Sequence, residues 1–251
     1  MIELIGVRKG YGDSFAVKDM TLQIASGELI AIVGESGAGK TTVLRMINRL
    51  VDPDAGQVRI AGNDVRDQDP VALRRTIGYV IQHVGLLPHL TVGDNVAMVP
   101  RLLAWPRPQI DARVSELLEL VGLPSGTYRD RYPDQLSGGQ RQRVGVARAL
   151  AARSRVLLLD EPFGALDPIT RAALQRELRR IHDELELTSV LVTHDMVEAI
   201  TLADRIAVMR GGELRQVATA AELARAPADD YVAQLVAMAR QQAEKLRELV
   251  S

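Results

Sequence analysis

Cysteine is absent from this 251-residue chain, which removes disulfides, thiol catalysis and cysteine-held zinc without identifying a compartment. Neither sign of charge dominates. With 31 basic and 32 acidic residues the net charge is −1, so no chain-wide basic field points to nucleic acid. Long apolar runs are also missing. The longest, "LIAIV" and "VLLLD", are strand-length and far short of the roughly 20 residues that span a bilayer as a helix. The opening "MIELIGVRKG" lacks the apolar core and small-residue cleavage pattern of a secretory signal. There is no internal repeat and no low-complexity linker. The chain reads as soluble, so any work at a membrane needs a partner that does the spanning.

What is present is ordinary for a globular protein: 47% hydrophobic and 25% charged residues, enough for a sizeable core in one large or two small domains. The first thirty residues alternate apolar and polar positions between glycine turns, the pattern of strands. "ELIAIV" reads as a strand, "GKTTVLRMINRL" as a helix, "AGQVRIAGNDV" as a hairpin and "TIGYVIQ" as a strand ending at Gln82. From 91 to 152 the pattern is helical. Val114, Leu117, Leu118 and Val121 recur at helical spacing, and Gly122 supplies a stop. "VLLLD", "SVLVTHD" and "RIAVMRGGELRQVA" return to strands around the helix "TRAALQRELRRIHDEL". "TAAE" at 219–222 is a capping box, and the final helix "PADDYVAQLVAMARQQAEKLREL" begins with proline. Strands alternating with helices predict an α/β core with a largely parallel sheet, interrupted by a helical lobe.

Between its strand and its helix, "GESGAGKTT" (34–42) matches G-x-x-x-x-G-K-[ST]. Gly34, Gly37 and Gly39 let backbone N–H groups wrap a phosphate at a helix N-terminus. Lys40 reaches the β/γ-phosphates and the Thr41 hydroxyl binds Mg²⁺. "VLLLDE" ends in two carboxylates: Asp160 fits the Mg²⁺ position of P-loop ATPases, and Glu161 is placed to orient or deprotonate a water, which points to hydrolysis. The competing reading is two surface acids at a strand end; the phosphate loop favours function. His194, after the next strand, can sense the γ-phosphate or simply start a helix. His83, His89 and His182 read as ordinary helix-start or core histidines. Gln82 can ligand Mg²⁺ or the water, and Tyr11 is either an adenine-stacking ring or a hairpin aromatic.

A second glycine pair stands in "LSGGQ" (136–140), at the start of a basic helix. Alone, Ser137 with Gly138 and Gly139 is an N-cap with glycine turns. Because the first loop already holds the chain's own nucleotide, a second phosphate clamp serves a neighbour's, which requires a two-fold pair. The arginines that follow, "RQRVGVARAL", read as a solvated helix face plus dimer contacts. No aromatic interleaving accompanies them, so they do not read as a nucleic-acid surface.

Taken in order, "GESGAGKTT", Gln82, "LSGGQ", "VLLLDEP", "GALD" and "VTHD" resemble the ATPase subunit of ABC transporters, to about residue 225. The resemblance implies a RecA-like P-loop core with an antiparallel β flank (1–90 and 153–225) and an inserted helical lobe (91–152), followed by a C-terminal helix (226–251). It implies ATP and Mg²⁺ as ligands and a homodimer that closes on ATP. Tyr11 becomes the adenine-stacking residue, and Ser36 to Thr42 with Lys40 the phosphate loop. Gln82 opens the loop that joins the nucleotide to a membrane partner, with Thr41 and Asp160 also serving Mg²⁺. Ser137, Gly138, Gly139 and Gln140 face the partner's ATP. Glu161 becomes the catalytic base, His194 the switch and Asp167 part of the loop crossing the dimer.

More narrowly, the stretch 74–107, "YPDQLSGGQRQRVGVARALAA" and "DEPFGALDPITR" resemble ATPases of glycine betaine, choline and carnitine importers. The family docks its membrane permeases at 83–135, works with a substrate-binding protein and sits on the cytoplasmic membrane face. Many members continue into a CBS pair, which the resemblance places absent or elsewhere here. Another amine as substrate, an exporter and a soluble non-transport ABC ATPase are the alternatives. A guanine-reading N-K-x-D is missing, and so are long coiled coils and zinc modules.

Overall fold

The computed structural model describes residues 1–82, 84–164 and 166–250, apart from the side chains at 243 and 246–250. It divides into two compact units, one made of residues 1–66 with those from 190 on, the other of residues 67–189.

The first unit opens with the hairpin β1 (Ile2–Tyr11) and β2 (Ser14–Ile24). Every second residue or so faces inward, among them Ile2, Leu4, Val17, Leu22 and Ile24, as a sheet with one covered face requires. β3 (Leu29–Val33) is buried along its whole length and runs through the loop 34–39 into α1 (Lys40–Ile47). β4 (Ala55–Ile60) and β5 (Asn63–Asp64) form the expected second hairpin. Together these give a four-stranded antiparallel sheet in the order β2-β1-β4-β5.

The second unit contains α2 (Pro70–Thr76), β6 (Ile77–Val80), α3 (Val92–Leu102), α4 (Arg107–Leu120), α5 (Ser125–Tyr128), α6 (Gly138–Leu150), β7 (Val156–Asp160) and α7 (Pro168–Glu184). β6 and β7 pair in parallel. The helical stretch read from the sequence is α3 to α6. Along α4 the buried stripe is Ile110, Arg113, Val114, Leu117 and Leu118, and Gly122, at φ 68°, ends the helix. There Leu123 N–H closes back on Leu118 O at 2.8 Å, a glycine-terminated C-cap. The unit is wider than the stretch 91–152, because it takes in β6, β7 and α7 as well.

After β8 (Thr188–Thr193) the chain completes the first unit with α8 (Met196–Leu202), β9 (Arg205–Arg210), β10 (Glu213–Ala218), α9 (Ala220–Arg225) and α10 (Asp230–Val250). β3 has β8 and β9 as neighbours, β9 parallel to it, and β10 lies antiparallel on β9. The sheet is therefore mixed, and its inner strands are buried on both faces, which explains their unbroken apolar runs. Thr219 and Glu222 form the capping box expected for α9. α10 departs from expectation, because it starts at Asp230 and not at Pro227. The Asp229 carboxylate accepts the Val232 N–H at 2.9 Å, so the aspartate sets the start and the proline stays outside. Among the described residues no helix is long and apolar enough to cross a membrane.

Candidate functional site

In the first unit the loop 34–39 is shaped by close approaches of backbone. A Cβ at Gly34 would lie 2.1 Å from Met209 O on β9, and one at Gly39 would lie 2.0 Å from Ala16 O on β2. Gly39 also has φ 99° and caps α1, so only glycine fits there. The loop therefore presses against β2 and β9 and ends at a helix N-terminus, where exposed N–H groups favour an anion. Lys40 is buried, at 5% exposure. Its Nζ donates to Gly34 O at 2.7 Å and Glu35 O at 2.9 Å, so the ammonium lies folded over its own loop. Ser36, Gly37, Thr41 and Thr42 follow on the same loop and first turn.

Tyr11 ends β1 and is half exposed. Lys9 Nζ stands 5.8 Å from its ring centroid. The Lys9 ammonium and the Gly10 N–H hold the Asp54 carboxyl, each at 2.7 Å, and keep it below the usual carboxylate range. The tie fixes the strand end that presents Tyr11. His194 is exposed just beyond β8, and Asp195 beside it caps α8.

The sequence did not reveal one contact to this loop. Tyr231 of α10 accepts the Glu35 N–H on its hydroxyl at 3.2 Å, with Arg210 stacked 4.6 Å from its ring centroid. The final helix therefore reaches the loop 34–39, and burial raises the phenol's pKa.

The second unit gathers the acidic pair and Gln82. Asp160 ends β7, 7% exposed, and accepts from the Tyr79 hydroxyl at 3.3 Å. Glu161 follows at φ 45°, and its Oε2 accepts from Gln82 Nε2 at 3.1 Å. Tyr79 escaped the sequence reading, because a tyrosine inside a strand carries no sign of which carboxylate it meets. β6 ends at Val80, so Gln82 lies on the segment after the strand.

Also in this unit, Ser137 caps α6 in a reciprocal box. Its hydroxyl accepts the Gln140 N–H at 3.2 Å, and Gln140 Oε1 accepts the Ser137 N–H at 2.9 Å. Gln140 Nε2 donates to Tyr128 Oη at 3.1 Å, so this amide is engaged within its own unit. A Cβ at Gly138 would lie in ordinary contact with Leu166, 3.9 Å away, whereas one at Gly139 would come within 2.2 Å of Thr170 on α7. Asp167 caps α7. Thr170, by side chain and backbone, and the Ile169 N–H hold its carboxyl below the usual range.

The arginines of α6, read as a solvated face plus dimer contacts, are also engaged within their own unit. Arg141 donates to Leu136 O and Arg143 to Val121 O, each at 2.7 Å, and Arg148 to Val84 O and Gly85 O. These guanidiniums satisfy carbonyls that end nearby segments, a role that composition cannot distinguish from solvation. His182 is a core histidine, 2% exposed, with Nδ1 2.9 Å from Ser189 Oγ. His83 lies outside the described residues.

Among the described residues no cluster of three His, Cys, Asp or Glu side chains could hold a metal. Mg²⁺ is a hard ion usually held by one or two protein oxygens together with nucleotide phosphates and water; the Thr41 hydroxyl in the first unit, and the Gln82 carbonyl and Asp160 carboxylate in the second, are oxygens of that kind.

A glycine-shaped phosphate loop with its lysine, a capped second glycine pair and an acidic strand end define a P-loop nucleotide-binding cassette. The sequence pattern of the family described as ABC transporter matches residues 17–164. The chain belongs to that family. It is 52% identical over 241 residues to the choline transport ATP-binding protein OpuBA of Bacillus subtilis (strain 168), covering 96% of this chain and 63% of that protein. With the glycine betaine uptake system ATP-binding protein YehX of Escherichia coli (strain K12) the identity is 52% over 234 residues, covering 93% and 76%. The fold is that of the ATP-binding cassette MJ0796, solved as a dimer in a post-hydrolysis state bound to ADP and Pi. The two superpose with TM-score 0.78 at 35% identity, over 87% of this chain and 98% of that one. The chain thus spans less than two thirds of the length of the choline relative.

Proposed function

We propose that this chain is the ATP-hydrolysing subunit of an ABC importer for a small quaternary-amine osmoprotectant of the glycine betaine, choline and carnitine type. The observation that carries the reading is the 52% identity, over nearly the whole chain, to a choline transport protein. Two copies bind ATP on the loop 34–42 and close as Ser137 and the glycine amides of each reach the other's γ-phosphate. Tyr11 stacks on the adenine. Lys40 leaves the Gly34 and Glu35 carbonyls for the phosphates. Glu161, oriented by Gln82, positions the attacking water and takes its proton, and His194 senses the γ-phosphate. Phosphoryl transfer asks mainly for such positioning and for charge stabilisation. Mg²⁺, when bound through Thr41, Gln82 and Asp160, neutralises charge developing on the phosphates.

Hydrolysis reopens the pair, and Asp167 belongs to the loop that crosses it. Membrane permeases dock at the stretch 83–135 on the cytoplasmic face, and a substrate-binding protein delivers the amine. The proposal is tested by uptake of radiolabelled glycine betaine in high salt by a host without its own betaine importers. Uptake that appears with this chain, its permease and its binding protein supports it, and uptake indifferent to this chain overturns it.

A further inference from the structure

At Val84 and Gly85 the backbone takes an unusual course. Val84 has φ 53° and Gly85 φ 60°. For a β-branched residue the left-handed region is a genuine outlier and persists only where the surroundings enforce it. Three contacts do so. The Val84 N–H donates to Ile81 O at 3.0 Å. The Val84 side chain lies against α6, where a Cβ at Gly145 would meet its Cγ1 at 2.6 Å. The Arg148 guanidinium, also on α6, donates to both Val84 O and Gly85 O, the latter at 2.7 Å.

Among the described residues these two carbonyls are the hydrogen-bond partners of Arg148. The planar fork reaches the two carbonyls from two nitrogens, Nη1 and Nη2, at a fixed spacing that the single nitrogen of a lysine does not reproduce. Ser137 caps the same helix, and Gln82, two residues before Val84, holds Glu161.

We propose that Arg148 is a positioning residue that clamps the left-handed Val84–Gly85 turn to α6, so that one rigid helix sets both Ser137 and, through Gln82, the catalytic Glu161. Nucleotide closure sensed at Ser137 then reaches the base through packed contacts. The clamp's kinetic consequence rests on the ATPase reading above, whereas its structural consequence does not.

The test compares wild type, Arg148→Lys and the double variant Arg148→Lys/Val84→Asn, because asparagine occupies the left-handed region at little cost. In Arg148→Lys the Val84 amide, followed by hydrogen exchange without nucleotide, is expected to exchange about tenfold faster. MgATP turnover is expected to fall about tenfold in kcat, with KM for ATP within about twofold of wild type, since the loop 34–42 is untouched. Val84→Asn should restore most of the lost turnover, which a purely structural role for Arg148 does not predict. Arg148→Lys with wild-type exchange at Val84, or a double variant no better than the single one, overturns the clamp. If Arg148→Lys is poorly folded, the double variant decides by the same comparison. A wild type that does not hydrolyse MgATP sinks the ATPase reading, and the exchange rate alone then decides the clamp.

Discussion

Glu161 combines a carboxylate, a left-handed backbone at φ 45° and a hydrogen bond from Gln82. Strain of this kind gathers where a side chain must be aimed. Glutamine keeps the size and can still accept from Gln82, but it cannot take a proton. Glu161→Gln is therefore expected to bind ATP within about twofold of wild type while kcat falls by about 10²–10⁴-fold. Phosphate release and nucleotide titration read the two effects separately, and normal turnover would remove Glu161 from the role of base. Lys40 predicts the opposite split. Its ammonium already holds two loop carbonyls, and in the proposed reading those bonds pass to phosphate when ATP binds. Lys40→Ala should weaken ATP binding by about tenfold to a hundredfold, the worth of a charge-assisted contact, and a fluorescent-nucleotide titration checks it. Unchanged affinity would contradict the loop's assignment. Lys40, Asp160 and Glu161 could be singled out in the sequence, because the chemistry proposed for them demands fixed types at fixed spacings after a strand. Tyr79 and Arg148 could not, since each is defined by what it touches and the same letters serve equally on a solvated face.

α6 shows how one local structure can carry two readings at the scale of an element. The Ser137–Gln140 box is a complete N-cap, and this cap leaves room for the phosphate-binding role proposed for "LSGGQ". The hydroxyl accepts from Gln140 and keeps its own proton to donate. Ser137→Ala removes the cap and should cost about 1 kcal/mol, seen as a fall of about 2–4 °C in Tm for a chain of this size. Ser137→Asp keeps a capping oxygen and adds a charge favourable to the helix N-terminus, so its Tm should stay near wild type. Both should lose ATP-dependent dimerisation, the second because a carboxylate faces the partner's γ-phosphate. Size-exclusion chromatography with ATP, in a Glu161→Gln background, reads the dimer. A Ser137→Asp chain that still dimerises would reduce the signature to a cap. Element types were legible because burial on both faces leaves unbroken apolar strands, and a helix leaves its stripe. Starts and ends were less so: α10 obeys the Asp229 carboxylate over the proline, and β6 ends at Val80 because Gln82 belongs to the turned segment.

For the whole molecule, the cassette's parts are common to the family, and in the proposed reading the substrate enters through partners that this chain powers. Motifs in the nucleotide machinery were therefore enough to read family and fold from sequence, while the transported amine rests on similarity that extends through the stretch 83–135. The same logic shapes the transport experiment. In a host lacking its own betaine importers, with permease and binding protein supplied, wild type should support radiolabelled glycine betaine uptake at high salt. Glu161→Gln should bring uptake down by at least about a hundredfold, in step with its loss of turnover, although the protein still binds ATP. Uptake that survives Glu161→Gln would separate transport from hydrolysis by this residue. Uptake absent from wild type, in a complex that hydrolyses MgATP, would leave the ATPase standing and turn the search to other amines. The variant thus distinguishes a wrong substrate from a wrong engine, because ATP turnover is measured on the same complex that is tested for transport.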